Sequence, residues 1–192
     1  MNKTRLEAFS DGVLAIIITI MVLEFKLPEG ATYEALTPLL PKFLSYILSF
    51  IYIGIYWNNH HHMMHLVKQI NGAILWANLH LLFWLSLIPF VTAWNGENQF
   101  APFPMMLYGV ILLMNGIAYY ILQTLITKDG KNAVLAKALG KDYKGKSSPV
   151  FYLIAVLLAN YYPIVSGGIY IFVALMWLVP DKRIERIFNE NE

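Results

Sequence analysis

Apolar residues crowd into six stretches of the chain, at about residues 8–25, 41–64, 73–94, 102–127, 149–162 and 164–179. The first four approach the ~20 residues that a bilayer-spanning helix needs. The last two are shorter. Only "YYPIVSGG" divides them, so they read as a helical hairpin turning at Pro163 and Gly167/Gly168. One bent span is the alternative, and it would reduce the count to five. The pattern predicts an all-α integral membrane protein in which residues 1–192 form a single six-helix domain.

Charge placement favours six. With six spans, Lys3, Arg5, Lys68, Lys128, Lys131, Lys137, Lys141, Lys144, Lys146, Lys182, Arg183 and Arg186 fall on one side of the membrane, and only Lys26 and Lys42 on the other. Cytoplasmic loops carry the excess of Lys and Arg. Both termini are therefore expected in the cytoplasm, with the protein in a cell membrane. The lysine-rich segment from Lys128 to Lys146 contains the short amphipathic run "NAVLAKAL". It is expected either to lie on the inner, anionic membrane surface or to be a solvated loop. Composition agrees with the class: 58% of residues are hydrophobic, 14% are charged, and the mean hydropathy is +0.54. The absence of cysteine excludes disulfides and thiolate metal sites. The first stretch lacks the small-x-small cleavage site of a signal peptide and carries Asp11, so it is expected to stay as a helix.

That first helix has two kinds of face. Ile16, Thr19, Ile20 and Leu23 recur at helical spacing, with Gly12 on the same side, and form a dry stripe holding one hydroxyl. Ser10 and Asp11 lie elsewhere, near the cytoplasmic end. An ionisable group inside a span is costly and is usually paired or functional. Arg5 stands six residues from Asp11, too far for an i,i+4 pair, so partners must come from other helices or subunits, unless Asp11 is simply solvated at the interface. The second span ends in "YWNNHHHMMH". His61 and His65 are i,i+4 and could share a metal. Alternatively, one or two of His60, His61, His62 and His65 donate hydrogen bonds to Asp11 while the rest face headgroups. Asn78 and His80 on the third span suit interhelical hydrogen bonding. The tryptophans fit interface belts and packing. No nucleophile–base pair, phosphate loop or paired carboxylates lie within the spans, so an enzyme, a cofactor or a nucleic-acid partner is not expected.

"RLEAFSD" at Arg5 to Asp11 resembles the R-x-x-x-F-S-D signature of the prokaryotic transmembrane-protein-175 family of potassium channels. "WNNHH" at Trp57 to His61, "NLHLLFWLSLIPF" at Asn78 to Phe90 and "MWLVPDKRIE" at Met176 to Glu185 extend the resemblance along the chain. The resemblance implies a homotetramer of six-helix subunits whose first helices line a central pore. The family lacks a T-V-G-Y-G filter, as does this sequence. Its constriction matches Ile16, Thr19 and Leu23, with Ile20 beside them, and K+ would pass transiently near Thr19. Arg5, Phe9, Ser10 and Asp11 of the motif, with His60, His61 and Asn78, would form a hydrogen-bond network behind the pore. The resemblance assigns no role to His62 and His65. The function implied is a K+-permeable channel with modest selectivity by partial dehydration. A proton-coupled transporter or proton channel using Asp11 and the second-helix histidines is the alternative. It finds no support in an inverted repeat or in a pair of Gly/Pro-broken helices. A purely structural or partner-binding bundle is the third reading.

Overall fold

The computed structural model describes residues 2–67, 69–128 and 143–178, and among these every regular element is helical. The helices are α1 (Lys3–Leu23), α2 (Leu40–Leu66), α3 (Gly72–Ser86), α4 (Ile88–Glu97), α5 (Pro102–Lys128), α6 (Tyr143–Ala159) and α7 (Pro163–Leu178), with a 3-10 turn at Glu34–Leu39 before α2. Most of the lysine-rich segment, and Lys182, Arg183 and Arg186, lie outside the described residues.

Local chemistry sets the helix ends. Asn2 caps α1 by accepting from the Thr4 N–H, and Asn71 caps α3 by accepting from the Ile74 N–H at 2.9 Å. Pro41 lies in the first turn of α2, where a missing N–H costs nothing. The third apolar stretch, expected as one uninterrupted span, breaks at Leu87 into α3 and α4. Pro89 is the cause: it has no N–H for the Leu85 carbonyl and its ring clashes with the preceding turn. The two pieces together still supply 26 residues of span, Gly72–Glu97. The hairpin turn also differs from expectation. It is made by Asn160–Tyr162, with the Tyr161 and Tyr162 N–H groups both donating to the Leu158 carbonyl. Pro163 opens α7 rather than forming the turn, and Gly167 and Gly168 sit inside that helix.

Lys3–Leu23, Glu34–His65, Gly72–Glu97 and Pro102–Lys128 are long and apolar enough to cross a bilayer, while α6 and α7 are shorter, at 17 and 16 residues. In lipid, apolar burial gives little drive between helices, so close packing and hydrogen bonds must hold them. The α6–α7 pair does this with small buried residues, Ala155, Ala159, Ser166 and Ala174, and with a 2.7 Å hydrogen bond from Ser166 Oγ to the Ala155 carbonyl. α5 forms the centre, packing on α3, α4, α6 and α7. α1 lies to one side, against α2, α3 and α4. At the end of the bundle away from the α1 N-terminus, α4 meets α2 so closely that a Cβ on Gly96 would stand 2.6 Å from the Lys42 Cα, and Lys42 pairs with Glu97 there.

The Gly96 contact is backbone against backbone, so the clash of an added Cβ cannot be relieved by a rotamer change. Gly96→Ala should lower the thermal midpoint of the detergent-solubilised protein, at a cost of about 1–3 kcal/mol. Gly54→Ala, where the added Cβ meets nothing within 4 Å, should not. Equal midpoints for the two variants would contradict this account of the α2–α4 contact.

Candidate functional site

α1 buries one face and exposes the other. Leu6, Ser10, Leu14, Ile17 and Met21 are buried against the subunit. The open face carries Arg5, Phe9, Gly12, Ile16, Thr19 and Leu23, spaced alternately four and three residues apart, with Thr4, Ala8, Ala15, Ile20 and Val22 also exposed beside them. That 3.5-residue period is the one by which helices supercoil about a shared axis. Ile16 is 57% exposed and Leu23 79%, high for the middle and end of an apolar helix, and Ile20 flanks the seam. The Thr19 hydroxyl donates to the Ile16 carbonyl at 2.9 Å, so its proton is engaged within the helix and its oxygen lone pairs face outward.

Behind this face runs a buried chain of polar groups across three helices. His60 Nε2 of α2 and Asn78 Oδ1 of α3 are 2.7 Å apart. Asn78 Nδ2 donates to Ser10 Oγ of α1 at 2.9 Å, and Ser10 Oγ donates to the Leu6 carbonyl at 2.9 Å. Because Asn78 Oδ1 can only accept, His60 carries its proton on Nε2, and Nδ1 has no partner among the described residues. The structure thus brings Ser10, His60 and Asn78 together.

Asp11 is satisfied differently from the sequence expectation. It accepts from Trp57 Nε1 at 3.1 Å, not from a histidine. His61 turns instead to Glu7, with Nδ1 3.2 Å from Oε1. The arrangement is a two-rung ladder. Glu7 and Asp11 are i,i+4 on α1, Trp57 and His61 are i,i+4 on α2, and the Trp57 and His61 rings stack at 6.1 Å. Sequence reasoning placed Trp57 in an interface belt and passed over Glu7. The two matching i,i+4 pairs were the signal that could have found them.

Arg5 and Phe9 do not join this network within the subunit. Both lie on the exposed seam, away from Ser10, and the Arg5 guanidinium makes no hydrogen bond or ion pair with any described residue. His80 is not an interhelical link either: it accepts from Trp84 Nε1 one turn along α3, at 2.9 Å. His65 contributes its backbone carbonyl, which takes a 2.6 Å hydrogen bond from Lys3 Nζ, and its ring lies 6.4 Å from that of His61. Among the described residues no three His, Asp or Glu side chains gather as a metal site would require.

Residues 5–89, which carry the seam, the ladder and the polar chain, match the family model described as the endosomal/lysosomal potassium channel TMEM175. A potassium channel of Chryseobacterium sp. (strain P1-3) is 56% identical over the full length of both chains. The chain belongs to the TMEM175 family. The crystal structure of a lysosomal potassium-selective channel TMEM175 homolog from Chamaesiphon minutus superimposes with a TM-score of 0.80 at 29% identity, covering 93% of this chain and 97% of that one. The human TMEM175, named an endosomal/lysosomal proton channel, is 34% identical over 86 residues, which are 38% of this chain and 17% of the human one. TMEM175 proteins are ion channels, not enzymes, and the apolar helices and bacterial relatives place this member in the cell membrane.

Asn78 is the hinge of the polar chain, because it serves Ser10 and His60 at once. Asn78→Ala should leave His60 Nε2–H buried without a partner and cost about 1–3 kcal/mol of stability. Ser10→Ala should cost less, and Trp57→Phe, at a half-exposed rung, least. Thermal midpoints of the three purified variants check the order. A Trp57→Phe loss exceeding that of Asn78→Ala would reverse it.

Proposed function

We propose that this chain is one subunit of a homotetrameric, K+-permeable channel, with α1 lining the central pore and both termini in the cytoplasm. The observation that carries the reading is the exposed seam of α1. A helix facing lipid gains nothing from a 3.5-residue period, and lipid would be a costly neighbour for Arg5 at the inner end of that seam. A water-filled axis shared by four copies suits both. The names of the Chryseobacterium and Chamaesiphon relatives supply the permeant ion.

In such a bundle each seam residue becomes a ring. Thr19 lies about 4.5 Å above Ile16 along the axis, and Leu23 about 6 Å above Thr19. The Ile16 and Leu23 rings offer an ion no ligands and form dry barriers, which pass current only when wide enough to stay wet. Between them the Thr19 oxygens can replace part of the ion's water. K+ holds its hydration shell less strongly than Na+, so partial stripping penalises it less. That yields modest preference for K+. The Ser10–Asn78–His60 chain and the Asp11–Trp57 and Glu7–His61 rungs hold the helix at the rotation that presents the seam. They would not touch the ion, which needs no bound cofactor.

Proton conduction is the second reading, favoured by the name of the human relative and by the Glu7–His61 contact. Liposomes loaded with K+ and facing Na+ or a pH step separate the two.

Reversal potentials test the pore. Thr19→Val is nearly isosteric and removes the hydroxyls, so the K+/Na+ permeability ratio should fall about two- to ten-fold, the worth of one modest hydrogen bond. Ile16→Asn should raise conductance and also lower discrimination. Leu23→Ala should mainly raise conductance. Unchanged reversal potentials in both Thr19→Val and Ile16→Asn would move the ion path away from α1. Light scattering should give four times the 22.0 kDa chain mass.

A further inference from the structure

We propose that a cavity between α2, α5, α6 and α7 binds an uncharged, ring-sized molecule bearing one hydrogen-bonding oxygen, and that its occupancy bears on the pore helix through α2. The binding half stands on the cavity alone, and the coupling half rests on the channel reading above.

The cavity is walled by aromatic rings, among them Tyr52, Tyr56, Tyr119, Tyr152 and Trp177, with Gly116 opening one side. The space open to the centre of a water molecule is ≈40 Å³. One water needs roughly 10–15 Å³ on that measure, so the cavity holds a few waters or one compact ring. Among the described residues no Asp, Glu, Lys, Arg or His lines it, which disfavours an ion. Most of its polar groups are committed. The Tyr52 hydroxyl donates to the Tyr170 carbonyl at 2.6 Å, and Trp177 Nε1 donates to Ser148 Oγ at 2.8 Å. Tyr56 differs. Its ring packs edge-on to Tyr119 at 6.0 Å, but its hydroxyl makes no hydrogen bond with any described residue. An unpaired hydroxyl among apolar walls is a costly arrangement in a membrane interior. A ring with one oxygen answers both features, filling the space between the aromatic faces and pairing with Tyr56. Ligand sites commonly combine apolar walls with a few converging polar groups in this way.

The position gives the site its reach. α1 packs chiefly on α2, α3 and α4, so among the four described cavity walls α2 is the one that also holds the pore helix by extensive packing. On α2 the two roles share two turns. Ile55, Tyr56 and Asn59 line the cavity, while Trp57, His60 and His61 hold α1 through Asp11, Asn78 and Glu7. A ligand that shifts Tyr56 presses on the reverse side of the segment that sets the rotation of α1.

4-Iodophenol tests the proposal, because its heavy atom quenches tryptophan fluorescence and Trp177 lines the cavity. With purified protein in nanodiscs, a saturable quenching component should appear over the linear background of membrane partitioning. Trp177→Phe should remove it. Gly116→Leu should abolish it by filling the space, since a Cβ there meets only Tyr152 Cε2 at 3.8 Å. Tyr56→Phe keeps the cavity and should raise the dissociation constant about three- to ten-fold. Purely linear quenching, the same in all variants, would overturn the site. If Gly116→Leu does not fold, an unchanged dissociation constant in Tyr56→Phe overturns the role of the hydroxyl. Saturating probe should also change K+ efflux from wild-type liposomes and leave the Gly116→Leu rate unaltered. Saturable quenching with efflux insensitive to the probe would overturn the coupling. No efflux from any protein would count against the channel reading and leave the quenching result standing.

Discussion

A polar group buried in a membrane protein cannot exchange its partner for water, and the subunit is organised around that constraint. Ser10, Asn78 and His60 meet in a place where none of them has an alternative, so three helices must arrive together in one register. Turning α1 by a single residue, about 100°, would carry Ser10 away from Asn78 and bring an aromatic ring or a carboxylate towards it. The chain of three therefore selects one rotation of α1. The exposed seam follows from that selection, because the residues left facing outward are those the network did not take.

The remaining helices act as a frame for this setting. α5 gives α3 and α4 a common support, and the break at Leu87 lets α4 follow α2 where an unbroken helix would continue along the axis of α3. At the end away from the α1 N-terminus the glycine at 96 brings α4 against the backbone of α2, and Lys42 and Glu97 neutralise each other beside it. α1 is thus bounded near its N-terminus by hydrogen bonds and further along by packing on α4.

Much of this was legible in the chain. Apolar period located the helices, and the polar residues near the start of α1 marked where the network had to be. What escaped the reading has physical causes. Asp11 was offered histidines because they are the obvious titratable neighbours, but the helix crossing presents the Trp57 edge to it instead, and His61 is drawn to Glu7. Arg5 belongs by motif with Ser10 and Asp11, yet a helix turns about 100° per residue and sends it to the other face. Gly167 and Gly168 look like turn residues. They are helical, and a Cβ at Gly167 would stand 3.1 Å from the end of the Met105 side chain. Pro89 was visible in the sequence, and the span was long enough to hide its effect. The small-residue seam between α6 and α7 is invisible to hydropathy because alanine and serine weigh little there.

In the proposed pore, the hydrogen bond between Thr19 and the Ile16 carbonyl would have one more effect, on the sign of charge. A free hydroxyl is ambivalent: it can turn its oxygen to a cation or its proton to an anion. This hydroxyl has spent its proton inside the helix, so it meets the space in front of it only with lone pairs. A chloride ion, which asks for donors, would find none at that level, while a cation would find acceptors already turned towards it. Rejection of anions would then need no charged residue at all. It would follow from one contact inside a single turn of helix, made before any ion arrives.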